Sequence, residues 1–250
     1  MKSTADWITD EVGEFRYVTE SYLLDFKGRI TLSLIATYLL QAASSHAAKL
    51  GFGYSDMTAR NSTWVLSRLA IEVYHYPGAD EQITLYTWIE ETSSLFSHRS
   101  FELVDGNGEV FVHARSIWAA IDLETRRPVH LDTEEYWKHR TDRVCPIERP
   151  GKIPSVENDT LGEPYRVKYS DLDINTHLNS IKYIEHLLDL FDIELFKQKG
   201  ISRFEIAYLL EGKYGMELML HSKESAPGKY DMAICHEGKA ICRASAKFGD

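Results

Sequence analysis

Apolar residues recur along the chain with two different periods, and the periods follow one another in the same order twice. In the first half, residues 15–26 are interpreted as an extended segment. Apolar pairs then recur every four residues and predict a long helix that ends near Gly51. These pairs are Leu34/Ile35, Tyr38/Leu39 and Ala42/Ala43. Strand-like runs follow at residues 64–76, 82–91, 97–104 and 109–122, and the last two are joined by the turn signal Asp-Gly-Asn-Gly.

The second half repeats this order. An extended segment over residues 165–169 precedes a helix with Ile181, Ile184, Leu187, Leu188 and Phe191 on one side. Strand-like runs again follow, at residues 202–210, 215–222, 229–236 and 239–248.

A sheet that wraps around one helix buries that helix on nearly all sides, which suits a helix as apolar as the first one. The repeated order therefore predicts an α+β double hotdog, with two tandem copies of an antiparallel sheet wrapped around a long central helix. Four of the seven prolines lie between residues 138 and 164 without sustained periodicity, as is typical of a linker. We therefore expect an N-terminal domain at residues 1–137, a linker at 138–164 and a C-terminal domain at 165–250.

Composition narrows the class of protein. The three cysteines include no C-x-x-C pair, so we expect neither a disulfide framework nor a cysteine zinc site. We expect instead that the protein is found in the reducing cytoplasm. No stretch approaches ~18 uninterrupted apolar residues, so no membrane span is expected. The formal net charge of −10 opposes a nucleic-acid partner. Histidine spacing predicts no metal, and no motif predicts a cofactor.

The densest polar cluster spans residues 170–179, immediately before the second helix. In an extended segment Asp171, Asp173, Asn175 and His177 would point to one side, about 6.6 Å apart in succession. Free helix N–H groups and the Asn175 amide could then stabilise an oxyanion while His177 carries a proton, as acyl transfer requires. The same residue types are also common helix caps and turn formers, and Asn179 fits a cap.

The run SDLDINTHLNSIKYIEHLLDLF resembles the catalytic-domain signature of acyl-acyl-carrier-protein thioesterases, which release free fatty acids in fatty acid biosynthesis. The resemblance extends upstream through GFGYSDMTARNSTWVLSRLAIEVYHYPGADEQITLYTWIEE and HARSIWAAIDLETRRPVHL, so it covers nearly the whole chain. It implies a hydrolase that cleaves the thioester of a fatty acyl group on acyl carrier protein (ACP) and needs no cofactor.

The resemblance also implies the catalytic residues. Asp173, Asn175 and His177 fall on the family's Asp-x-Asn-x-His triplet, and Glu211 falls on its further carboxylate. Asn175 and helix N–H groups would hold the thioester oxygen, while His177 and Glu211 would orient and deprotonate water. Asp173 would either position the site or attack the carbonyl itself. Plant members often have a cysteine after that glutamate, whereas this chain has Gly212.

Aligning the two copies places Gly28, Ile30 and Leu32 opposite Asp173, Asn175 and His177, and Tyr76 opposite Glu211. The first copy thus lacks the chemistry and is expected to bind the acyl chain. Its tryptophans Trp64, Trp88 and Trp118 are either pocket-lining or ordinary core residues.

Two other functions share these features: an acyl-CoA thioesterase and a non-catalytic acyl-binding hotdog protein. Because ACP is strongly acidic, docking on this acidic chain needs a local basic patch. Residues 137–152 predict one, which includes Arg140, Arg143 and Arg149. The chain is expected to be a monomer or a homodimer.

Overall fold

The computed structural model describes residues 11–156 and 162–249, which form two compact units. The first unit holds the described residues through Arg149 except Arg68–Ala70, and the second holds Arg68–Ala70 and the described residues from Pro150. The division falls inside the stretch predicted as a linker. Before this point Cys145 and Ile147 are buried against Trp88, so this part of the stretch belongs to the core of the first unit.

The first unit combines one long helix with a five-stranded sheet in the order β1-β3-β4-β5-β2. The strands are β1 (Val12–Val18), β2 (Ser62–Val73), β3 (Gln82–Thr92), β4 (Phe96–Val104) and β5 (Val110–Asp122), and the helices are α1 (Leu32–Lys49), α2 (Tyr54–Ala59) and α3 (Thr133–Trp137). The predicted hairpin joins β4 and β5, which are antiparallel.

Helix α1 forms where the apolar pairs predict it. The Thr31 side chain caps its first turn by accepting a hydrogen bond from the Leu34 N–H at 3.1 Å. The apolar pairs at positions 34/35, 38/39 and 42/43 are all buried. After Lys49 the chain turns at Gly51, whose φ of 81° suits glycine, so the predicted helix stop is confirmed.

The second unit has a five-stranded sheet in the order β7-β10-β9-β8-β6. Its strands are β6 (Glu163–Arg166), β7 (Gly200–Tyr208), β8 (Glu217–Ala226), β9 (Lys229–His236) and β10 (Lys239–Gly249), and its helices are α4 (Ser180–Leu188) and α5 (Ile193–Gln198). Helix α4 buries Tyr183, Ile184 and Leu187, but it has half the length of α1. The long central helix predicted for this copy is therefore two short helices.

The two units thus give the α+β double hotdog expected from the repeat. Across the described ranges, no helix is both long and apolar enough to span a bilayer.

Candidate active site

Residues 173–177 form a tight turn, so the expectation that this segment is extended is wrong. An antiparallel bridge between Leu172 and Leu178 closes the turn. Inside it, Asp173 Oδ1 accepts hydrogen bonds from the backbone N–H groups of Asn175 at 2.8 Å and His177 at 3.0 Å. Aspartate readily binds backbone N–H groups two residues ahead, and such bonding stabilises a turn rather than a strand.

Asp171 lies apart from this turn, in a buried network that the sequence did not reveal. Its Oδ2 accepts hydrogen bonds from the Tyr165 hydroxyl and the Lys168 backbone N–H, each at 2.7 Å, and its Oδ1 is 3.2 Å from His186 Nε2. Burial by itself would raise the pKa of the Asp171 carboxyl, but these three partners outweigh it and lower the pKa. The network ties the start of the site segment to β6 and α4.

Glu211 follows β7. The hydroxyl of Tyr183 on α4 binds the backbone of the residues directly before and after Glu211. This hydroxyl donates to the Leu210 carbonyl at 3.2 Å and accepts from the Gly212 N–H at 2.8 Å. Burial raises the pKa of Tyr183, so its hydroxyl stays protonated and able to donate. Sequence reasoning missed Tyr183, although its place four residues before the apolar Leu187 puts it on the buried side of α4.

The structure brings His177 and Glu211 together. Their Nε2 and Oε2 atoms are 3.4 Å apart, and the side chains are 23% and 37% exposed. The backbone supports this contact through an antiparallel bridge between His177 and Lys213 and a 2.8 Å bond from the Leu178 N–H to the Gly212 carbonyl. A partly exposed imidazole beside a carboxylate can take a proton from water and later return it.

Three of the N–H groups at the start of α4, those of Ile181, Lys182 and Tyr183, are engaged in hydrogen bonds to Asn179, so these three do not hold a thioester oxygen. The Asn179 side chain accepts from the Ile181 N–H at 2.8 Å, and its carbonyl accepts from Lys182 and Tyr183. Asn179 is therefore the helix cap that its residue type suggested. The side-chain amide of Asn175, the other group expected to hold the oxygen, is exposed.

Gly212 stands where close packing favours glycine. A Cβ atom built at this position would lie 2.9 Å from Leu178 Cβ and 3.2 Å from the Tyr183 hydroxyl oxygen. A side chain here would displace Leu178 and the Tyr183 hydroxyl, which gives a physical reason for the absence of the plant cysteine.

The first unit contains a counterpart of the site turn, at residue numbers lower by 148. The 3₁₀ turns at 21–23 and 169–171, the bridges 24–30 and 172–178, and the capping residues 31 and 179 all correspond. Asp25, Lys27 and Arg29 therefore stand opposite Asp173, Asn175 and His177, and the alignment with Gly28, Ile30 and Leu32 is wrong by three residues.

The pairing of Tyr76 with Glu211 is confirmed by equivalent backbone bonds. The Ile30 N–H donates to the Pro77 carbonyl just as the Leu178 N–H donates to the Gly212 carbonyl. In the first unit Arg29 pairs with Asp25 at 3.0 Å and lies over the Tyr76 ring. This counterpart therefore has neither the histidine nor the glutamate of the second unit.

Three tryptophans of the first unit, Trp64, Trp88 and Trp118, donate hydrogen bonds from their indole N–H groups. Trp88 donates to the Arg143 carbonyl, Trp64 to the Phe52 carbonyl and Trp118 to Ser116 Oγ. Trp88 is fully buried. It therefore belongs to the core.

The arginines of residues 137–152 are paired with acids. Arg140 contacts Asp142 at 2.7 Å, Arg143 contacts Glu102 and stacks on Trp88, and Arg149 contacts Glu91 at 2.8 Å. These pairs offset much of the positive charge that the sequence suggested for this stretch.

Within the described ranges, one group of side chains could bring three ligand atoms within 4.8 Å of one another: His75, Asp105 and Glu109 of the first unit. Asp105 already accepts from two N–H groups of the β4–β5 turn, and its other oxygen contacts His75. These bonds account for the cluster without a metal.

Comparison with known proteins agrees with this geometry. Sequence profiles of the acyl-ACP thioesterase N-terminal and C-terminal domains match residues 11–138 and 155–250. An acyl-ACP thioesterase structure from Bacteroides thetaiotaomicron aligns with a TM-score of 0.90 and 39% identity, covering 95% of this chain and 98% of that one. The 12:0-ACP thioesterase from Umbellularia californica shares the fold, with a TM-score of 0.83, 22% identity and coverage of 95% and 97%.

An acyl-acyl-carrier-protein hydrolase from Cuphea viscosissima is 26% identical over 204 residues, which are 76% of this chain and 50% of that protein. The chain thus spans about half the length of such curated plant relatives. Because the two domain profiles together match most of the sequence, the chain belongs to the acyl-ACP thioesterase family.

Proposed function

We propose that the chain hydrolyses the thioester of fatty acyl-ACP and releases a free fatty acid and ACP with a free thiol. The observation that carries the proposal is the contact between His177 and Glu211 in the C-terminal domain of a chain that belongs to this family. The names of its relatives support the same substrate class.

The proposed reaction uses water and three side chains. Glu211 and His177 orient a water molecule, and His177 takes its proton as the water oxygen bonds to the thioester carbon. The Asn175 amide donates to the carbonyl oxygen as that oxygen becomes negative. When the carbon–sulfur bond breaks, His177 returns the proton to the thiolate, so one carboxylic acid and one thiol leave.

The first unit is proposed to bind the acyl chain beside α1, where Ala42 and Ala43 are small and buried. Replacing Ala43 with Phe should shift the preference toward shorter chains, because the larger side chain fills space that a long chain would use. The matched control is Ser44→Phe, at an exposed position of the same helix. An unchanged chain-length profile in a folded Ala43→Phe variant would contradict this placement.

Thiol release from matched acyl-ACP and acyl-CoA substrates of several chain lengths tests the function. Wild type should favour acyl-ACP, and His177→Ala and Glu211→Gln should each lower kcat by on the order of 100-fold or more. His130→Ala and Glu124→Gln, at exposed sites in the first unit, are matched controls. A preference for acyl-CoA would identify an acyl-CoA thioesterase, and binding without thiol release would identify a non-catalytic acyl-binding protein.

A further inference from the structure

Asp25, the counterpart of Asp173, closes its turn with the same hydrogen bonds. Its Oδ1 accepts from the N–H groups of Lys27 at 2.8 Å and Arg29 at 2.9 Å, compared with 2.8 and 3.0 Å for the two bonds to Asp173 Oδ1. The Asp25 N–H also donates to the Arg29 carbonyl at 2.8 Å, the length of the matching bond in the second unit. The two turns are therefore built alike.

The first unit keeps this aspartate without the groups that would make it reactive. Arg29 takes the place of His177, and its guanidinium occupies the space between Asp25 and the Tyr76 ring. The hydrogen bonds of the turn explain why an aspartate stands in both units, whereas a role in catalysis could explain only one of them.

We infer that Asp173 is a positioning residue and that water, rather than the Asp173 carboxylate, attacks the thioester carbon. By holding the His177 N–H, Asp173 sets the direction in which the imidazole leaves the turn toward Glu211. This inference rests on the proposed hydrolysis.

The two routes differ in their first bond. If Asp173 attacked, its oxygen would bond to the acyl carbon, the thiol would leave with a proton from His177, and water would then open an acyl-aspartyl anhydride. In the inferred route the water oxygen bonds to the acyl carbon directly, and no acyl-enzyme forms.

Replacing Asp173 with Asn separates the routes, because the amide oxygen can still accept the turn's N–H groups but is a poor nucleophile and base. Asp173→Asn should keep kcat within about tenfold of wild type, with the same pH profile. Asp173→Ala leaves the turn open and should lose on the order of 100-fold, the scale expected when a catalytic group is misplaced. If a folded Asp173→Asn variant loses as much as Asp173→Ala, the inference is overturned.

The first unit supplies the matched controls. Asp25→Ala should lower the Tm by an amount similar to Asp173→Ala while leaving kcat unchanged, and Asp25→Asn should be close to wild type in both. A comparable loss of kcat in Asp25→Ala would overturn the inference. It would show that opening a turn far from His177 lowers kcat as much as opening the turn that carries His177. If Asp173→Ala fails to fold, Asp173→Asn alone decides. A wild-type protein without thiol release contradicts the proposed function, whereas an active wild type with an inactive Asp173→Asn contradicts only this inference.

Discussion

Thr176 is the residue of the site whose backbone is least typical of its type. Its φ of 63° lies in the left-handed region, which is unfavourable for a β-branched residue. The corresponding residue of the first unit is Gly28, with a φ of 67°. The second unit therefore keeps a strained residue directly before His177, and strain of this kind is often found at functional sites.

Placing glycine at position 176 and threonine at position 28 should change the free energy of unfolding in opposite directions. We expect Thr176→Gly to raise the free energy of unfolding by about 0.5–1 kcal/mol, because relief of strain exceeds the added entropy of the unfolded chain. Gly28→Thr should lower it by about 1–2 kcal/mol through backbone strain, since an added Cβ at Gly28 has no neighbour within 4 Å. Urea unfolding measures both changes, and equal signs would contradict the argument.

The thiols should not take part in the reaction. Cys145, Cys235 and Cys242 are buried, and burial raises the pKa of Cys145 and Cys242, which disfavours the reactive thiolate. We expect iodoacetamide to leave the rate of thioester hydrolysis largely unchanged at neutral pH. Rapid inactivation that substrate prevents would show that a cysteine lies in the site.

Among the elements, the strands and the first long helix were predictable from the sequence, but the division of the second helix and the turn that carries the site were not. Helix α1 follows from its apolar pairs, because their four-residue recurrence matches the helical period over 18 residues. Polar residues occupy every second position from 171 to 177, with Leu172 and Ile174 between the first three, and this pattern fits both a strand and a turn closed by aspartate. Glu211 could be predicted only from family resemblance, because no spacing rule connects it with His177, which lies 34 positions earlier in the sequence.

The network of Asp171, Tyr165 and His186 should make stability depend on acid pH. The folded state lowers the pKa of Asp171, so its stabilising effect is complete above the ordinary aspartate pKa of about 3.9 and is lost as the pH falls below it. Asp171→Asn should therefore lower the free energy of unfolding at pH 7 by about 2–4 kcal/mol, and the deficit should shrink toward pH 3.

Urea unfolding of wild type and Asp171→Asn between pH 3 and pH 7 checks this expectation. Asp142→Asn is the matched control, because the Asp142 side chain is 92% exposed and its pair with Arg140 should contribute little. A deficit that stays constant over the whole range would show that the Asp171 charge is not what stabilises the network.

For the whole molecule, the net charge of −10 makes the location of exposed basic side chains important for docking an acidic carrier. Lys213 and Lys168 are exposed close to the site. Lys213 forms a backbone β-bridge with His177. Lys168 follows Val167, whose carbonyl accepts a hydrogen bond from the Gly215 N–H. Exposed apolar side chains lie in the same loops, with Tyr169 at 85%, Ile174 at 84% and Tyr214 at 67% exposure. We therefore expect ACP to dock on this face rather than on residues 137–152.

Reversing both lysines should weaken carrier docking. Lys168→Glu with Lys213→Glu is expected to raise KM for acyl-ACP and flatten its salt dependence, while a small thioester that needs no docking is hydrolysed as before. Arg140→Glu is the matched control, since Arg140 is already paired with Asp142. A larger effect from Arg140→Glu would place the carrier on residues 137–152 instead.

Because the two turns have the same backbone, the first unit can serve as a reference for the second. It presents the same aspartate-closed scaffold with different groups attached, so Lys27→Asn, Arg29→His and Tyr76→Glu would install the missing side chains on a backbone already shaped for them. Adding them one at a time, in a chain whose own site is disabled by His177→Ala, would measure what each group adds when the scaffold is held constant. The chain thus contains its own reference for measuring what each side chain adds to the same backbone turn.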